Sequence, residues 1–217
     1  MPAIHVLGSS HVSYHHGLPT AICELYDIME EAFKNRFYLS TAKGVSGGRI
    51  ANIRLTNEFV SVAEETAKES GYDGQVVCLL LGTNDWARPE MTEINFESQY
   101  KKLVDRFIAI PKTAVVLTGL IPREAASDGA VKRTDMRIPT KIVRVLAGTY
   151  LKEGKKVRFV PVHNLILESG SGDNKEDRAV KKGRLTDGVH MTEAAVVEVA
   201  KSLLFAIKKM PKAWFSD

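Results

Sequence analysis

Four short clusters carry side chains suited to nucleophilic acyl transfer. They are Gly8-Ser9-Ser10-His11, Gly44-Val45-Ser46-Gly47-Gly48, Gly82-Thr83-Asn84-Asp85 and Asp187-Gly188-Val189-His190. A serine hydroxyl is a poor nucleophile at its ordinary pKa. It needs a base within hydrogen-bond reach and a third group that holds the base in one tautomer. Ser10 supplies the hydroxyl, His190 the base and Asp187 the orienting carboxylate. Asp187 and His190 stand three residues apart, so their side chains meet only where the backbone turns, and Gly188 between them favours a turn. A tetrahedral intermediate also needs N–H donors aimed at its oxyanion. The side-chain amide of Asn84 and the backbone N–H groups of Gly47 and Ser10 are the candidates. Each residue has an ordinary structural use as well. Serine and asparagine cap turns and helices, His190 stands two residues before Thr192, a helix-cap type, and Gly44 and Gly48 compete with Gly47.

These clusters matter only if one scaffold brings them together. Short apolar runs alternate with amphipathic stretches along the whole chain. Ile4–Leu7, Arg36–Ala42, Gln75–Leu81, Thr113–Leu120 and Lys156–Val162 read as five strands. Gln75–Leu81 is almost continuously apolar, the pattern of a strand covered on both faces. Pro161 marks the last run as an edge strand or a strand end. Between the strands, apolar residues recur at near-helical spacing. Ile22, Leu25, Met29 and Phe33 follow Pro19 and Thr20, and a second stretch runs from about Ile50 to Glu69. A third carries Phe96, Tyr100, Leu103 and Phe107. Two more cover Thr140–Leu151, with Ile142, Leu146 and Tyr150, and Glu193–Lys209, with Val196, Val199, Leu203 and Ile207.

This alternation predicts an α/β fold, a three-layer α/β/α sandwich around a mostly parallel five-stranded sheet of flavodoxin-like kind. Such sheets hold ligands beyond the carboxyl ends of their strands. The first three clusters each follow a predicted strand, and the fourth precedes the last helix. Two polar segments, Pro122–Arg137 and His163–Gly188, are long for connectors and read as functional loops or mobile insertions.

Length and composition set the outer limits. The chain has 217 residues, which fits one domain spanning 1–217 and is too short for eight βα units of a closed barrel. With 44% hydrophobic residues it can bury a core. The net charge of +4 is spread along the chain, with no interleaved aromatics, and nucleic-acid binding is disfavoured. No apolar run reaches the length of a membrane span, and the first residues lack a signal-peptide pattern, so a cytoplasmic protein is expected. Cys23 and Cys78 make neither a disulfide framework nor a thiolate metal site. His11, His15 and His16 crowd one segment, but no carboxylate or cysteine completes a ligand set, so neither metal nor organic cofactor is expected. Gly44–Gly48 lacks the spacing of a dinucleotide loop. His11, Tyr14 and Trp86 are candidates to line a substrate pocket, with simple packing as the alternative. Arg123, just beyond the fourth strand, can meet an anionic group or form a surface ion pair.

The four clusters, in this order, resemble the blocks of the SGNH hydrolases, the GDSL-like lipase/esterase superfamily. Gly8-Ser9-Ser10 corresponds to its nucleophile block Gly-Asp-Ser, and Gly47 to its oxyanion glycine. Gly82-Thr83-Asn84-Asp85 matches Gly-x-Asn-Asp in full, and Asp187-Gly188-Val189-His190 matches Asp-x-x-His. The resemblance spans nearly the whole chain. It implies a Ser10-His190-Asp187 triad, an oxyanion hole of Ser10, Gly47 and Asn84, and loop-shaping roles for Gly82 and Asp85. The implied activity is hydrolysis of short or medium acyl esters of an alcohol, sugar or lipid. One departure stands out: Ser9 replaces the family's aspartate, which usually supports the active-site loops. That favours, as the alternative, a catalytically weak or inactive binding module on the same fold. The Gly-x-Ser-x-Gly elbow of α/β-hydrolases is absent, since Val12 occupies its last position. The segments Pro111–Leu117 and Gly119–Arg123 are loosely similar to SGNH-like domains of animal genomes, some related to retroelement-encoded esterases.

Overall fold

The computed structural model describes residues 2–9, 12, 38–45, 47–123, 136–168, 180–187 and 189–215. The helix read over Ile22–Phe33 lies outside these residues. Five strands form one parallel sheet in the order β2-β1-β3-β4-β5. They are β1 (Ala3–Gly8), β2 (Tyr38–Gly44), β3 (Gln75–Leu80), β4 (Thr113–Thr118) and β5 (Val157–Val160). Gly8 pairs with both Gly44 and Leu80, so β1, β2 and β3 end level with one another. The helices are α1 (Ile53–Lys68), α2 (Thr83–Trp86), α3 (Glu93–Ile108), α4 (Arg137–Lys152), α5 (His163–Ile166) and α6 (Glu193–Lys208).

The sheet separates two apolar cores, as the period of two along each strand requires. Val76, Cys78 and Leu80 of β3 face one side with Ile4, Val6, Ala114 and Val116, and α6 covers them with Val196, Val199, Leu203 and Ile207. Val77 and Leu79 face the other side with Leu7, Val115 and Leu117. There α1 contributes Phe59 and Ala63, α3 Phe96, Tyr100 and Phe107, and α4 Val143 and Tyr150. Every residue of β3 is buried, which explains its unbroken apolar run. Burial pushes the Cys78 thiol up to about 12, so it behaves as the small hydrophobe its neighbours predict.

Helix starts follow local capping. The Asn52 side chain accepts from Leu55 N at 3.2 Å, Thr92 Oγ1 from Asn95 N at 3.2 Å, and Thr192 Oγ1 from Ala195 N at 3.4 Å. Such caps satisfy amides the helix leaves open. Strand ends fall short of the sequence reading. Leu81, Leu120 and Val162 are buried but lie beyond the ladders, because the chain turns there into the site loops. Pro161 directly follows β5, which is also an edge strand, so both readings of that proline hold. The strand order reverses direction between β1 and β3. In open parallel sheets such a reversal marks a crevice at the carboxyl ends of the strands.

His5 lies fully buried in β1. Burial lowers its pKa from 6.5 to about 4, against a smaller upward pull from the Gln75 side chain. Among the described residues neither ring nitrogen has a partner within hydrogen-bond geometry, and the buried neutral ring is the form the fold accommodates. The unfolded chain therefore takes up a proton near pH 6.5 that the folded chain refuses until about pH 4. Stability should be unaffected by this group above pH 6.5 and fall through that window, by an amount on the order of 3 kcal/mol. Urea titrations from pH 7 to pH 4 should show a shallower fall for His5→Leu than for the native chain. Equal slopes would contradict it.

Candidate functional site

The loop between β2 and α1 is built around its glycines. Gly48 N donates to Val45 O at 2.8 Å, closing a turn in which Gly47 adopts φ +67°. That left-handed conformation suits glycine, and Gly47 is exposed with open space around it. Val45 N donates to Gly8 O at 3.3 Å, tying this loop to the end of β1. Ser9 is buried there, and its carbonyl accepts from Val12 N at 3.0 Å. Ser10, His11 and Tyr14 lie outside the described residues, as does Gly188.

The third cluster forms α2. Gly82 precedes it with φ +109°, and a Cβ there would sit 3.0 Å from the Phe96 ring. Thr83 Oγ1 donates to Ile121 O at 3.3 Å. Asp85 is completely buried and accepts from Ile50 N at 3.1 Å and Ala51 N at 3.3 Å. Burial raises the Asp85 pKa, while these two amides and the nearby charge of Arg49 pull it down. The carboxylate thereby holds the Gly47–Gly48 loop against α2. Gly82 contributes a left-handed backbone conformation here, and Asp85 buried hydrogen bonds to the loop before α1.

Asn84 sits half-buried on the first turn of α2. Its Nδ2 donates to Gly48 O at 3.1 Å, and its Oδ1 accepts from Arg123 Nη2 at 3.3 Å. Among the described residues Arg123 makes this hydrogen bond from a half-buried position. Burial lowers its pKa, and the charge of Asp187 pulls it back up. Arg123 therefore lies within electrostatic reach of the fourth cluster. Sequence reasoning missed this bridge from β4 to Asn84, since no motif announces a contact 39 residues apart.

The fourth cluster is a tight turn. Asp187 Oδ1 accepts from Val189 N at 3.0 Å and His190 N at 2.7 Å, while Oδ2 lies 2.6 Å from His190 Nδ1. Leu185 and Met191 bridge antiparallel behind it, and Thr186 N donates to His190 O at 2.8 Å. Arg184 pairs with Glu198 of α6 at 2.9 Å, and Thr192 caps α6, so the turn is anchored to that helix. Desolvation pushes the Asp187 pKa up. The His190 amide, the His190 ring and the Val189 amide outweigh it and hold the carboxyl at about 2. An ionised carboxylate only accepts hydrogen bonds, so Nδ1 carries the hydrogen in the neutral ring and Nε2 keeps the lone pair. That is the tautomer a general base requires.

Trp86 corrects an expectation. It is 4% exposed and packs edge-on against Phe96, with ring centroids 5.7 Å apart, so it belongs to the core beneath the site and not to a pocket wall. The signal lay in its place four residues after Gly82 on α2, the side turned toward α3. His163 is a second surprise. Its ring covers Gly119 so closely that a Cβ there would lie 2.0 Å from Nδ1, which makes the glycine after β4 a packing requirement.

Gly82→Ala should destabilise the fold by about 1–3 kcal/mol, since the side chain meets both a disfavoured φ and the Phe96 ring. A lowered urea midpoint with unchanged m-value would register it. A midpoint equal to the native one would contradict the packing read here.

The sequence matches no protein-family model and no curated protein. Its likeness lies in the fold. A member of the lipolytic protein G-D-S-L family from Veillonella parvula superposes with a TM-score of 0.65 at 13% identity, covering 96% of this chain and 100% of that one. A GDSL-like lipase from Bacteroides thetaiotaomicron gives 0.58 at 19% identity, covering 95% and 88%. An acetylxylan esterase from Geobacillus stearothermophilus, solved as a catalytic mutant, gives 0.64 at 14% identity, covering 95% and 94%. The chain therefore has the three-layer fold of the GDSL-like lipases and acylhydrolases, the SGNH hydrolase fold.

Proposed function

We propose that this chain is a serine esterase that hydrolyses short acyl esters, with Ser10 as nucleophile, His190 as base and Asp187 as its orienting carboxylate. The observation that carries the reading is the 2.6 Å contact between Asp187 Oδ2 and His190 Nδ1, at a carboxylate held ionised. Ser10 Oγ attacks the ester carbonyl and its proton passes to His190 Nε2. The backbone amides of Ser10 and Gly47 and the Asn84 amide receive the oxyanion. Asn84 uses one Nδ2 hydrogen on Gly48 O, and the second serves the intermediate. The alcohol leaves with the proton from His190. Water, deprotonated by the same histidine, then releases the acid and restores the serine. No metal or organic cofactor takes part. Acetyl is the favoured acyl group, because solved structures of similar fold include acetyl xylan esterases. The alcohol portion is a sugar or a lipid.

Ser9 supports a second reading, a binding module without turnover, since it stands where the resemblance places a loop-supporting aspartate. The buried Asp85 clamp answers part of that objection by supporting the neighbouring loop.

Steady-state assays on p-nitrophenyl acetate and butyrate separate the two readings. Turnover should fall by about 10³-fold or more in Ser10→Ala and His190→Ala, and roughly 10²- to 10⁴-fold in Asp187→Asn. A folded native chain without turnover on any ester of a broad panel would favour the binding module. Because Asp187 stays ionised down to about pH 2, its titration should leave no step in the kcat/KM profile between pH 4 and 9.

A further inference from the structure

We propose that Arg123 is a positioning residue that fixes the Asn84 carboxamide in the one orientation able to donate to an oxyanion. The proposal rests on the esterase reading above. Two neighbours of opposite hydrogen-bonding character face the Asn84 amide. A guanidinium can only donate, so the atom toward Arg123 must be oxygen. A carbonyl can only accept, so the atom toward Gly48 must be nitrogen. Turning the amide over sets NH₂ against guanidinium and oxygen against carbonyl oxygen, two repulsive contacts at once. Gly48 alone discriminates through one contact; Arg123 supplies the other, with a charge-assisted bond.

The rest of the guanidinium's surroundings fits this role. Arg123 is half-buried, and its Nε is buried without a hydrogen-bond partner among the described residues. With Nε buried, contacts fall to the outer guanidinium nitrogens, and Nη2 is spent on Asn84 Oδ1. The desolvated cation is balanced by Asn84 Oδ1 and by the field of Asp187. One side chain from the end of β4 thus touches the oxyanion donor on α2 and lies in the field of the Asp187–His190 turn. An arginine suits the position because its long planar head reaches Asn84 Oδ1 and keeps its charge.

The test compares Arg123→Met, Arg123→Lys and Asn84→Ala in an ester assay, with urea midpoints to confirm folding. Arg123→Met should lower kcat roughly 10- to 100-fold with KM within about 2-fold. Arg123→Lys, which keeps a donor, should recover part of the loss. In the Asn84→Ala background, Arg123→Met should cost less than about 2-fold more, because both changes remove one donor. Multiplicative losses, or a raised KM at unchanged kcat, would overturn the proposal in favour of a substrate contact or a separate action through Asp187. An active enzyme whose kcat ignores Asn84→Ala would instead sink the oxyanion assignment. An arm that needs no turnover is NMR of the Asn84 side-chain NH₂ pair, identified by its loss in Asn84→Ala. Arg123→Met should shift or broaden it, and an unchanged pair would overturn the proposal even in a chain without activity.

Discussion

The site depends on one buried carboxylate. Asp85 has no solvent, and its two oxygens are turned to the amides of Ile50 and Ala51. Burying a carboxylate is costly, and hydrogen bonds to its charged form are what make the position tolerable. Those same bonds fix the separation between the end of β3 and the loop that follows β2. Gly47, the Gly48 carbonyl and the start of α1 are therefore set by a side chain from a different strand. Asn84, the residue before Asp85, inherits its position from this clamp.

A second layer of constraint runs outward from Asn84. Its amide is held between Gly48 O and Arg123, and Arg123 comes from beyond β4. The Asp187–His190 turn is anchored separately to α6 through the Arg184–Glu198 pair and the Thr192 cap. Segments after β2, β3 and β4 and before α6 thus contribute to one edge of the sheet, where a 2-1-3-4-5 strand order opens its crevice. The two apolar cores leave that edge free, because the helices pack on the faces of the sheet and not on its ends.

Most of this architecture was legible in the sequence, for a physical reason. The unbroken run over β3 fits a strand buried on both sides, and the stripe Phe96-Tyr100-Leu103-Phe107 fits one face of a helix, as observed. Both are local periodicities. The Asp187–His190 contact was also legible, because three-residue spacing with an intervening glycine is a local turn problem. For Trp86 the sequence left lining and packing both open, and the packing alternative holds because the helical turn carries the ring to Phe96. The Arg123–Asn84 and Asp85–Ile50 contacts were not legible, since each joins residues more than thirty positions apart through side chains that have common surface uses.

The measurement that bears most directly on the central assignment is covalent active-site labelling. A fluorophosphonate should phosphorylate one site per chain, and peptide mass spectrometry should place it on Ser10. Labelling should slow sharply in His190→Ala, because the hydroxyl then lacks its base. A label on another residue, or no label on a folded chain that turns over esters, would contradict the assignment.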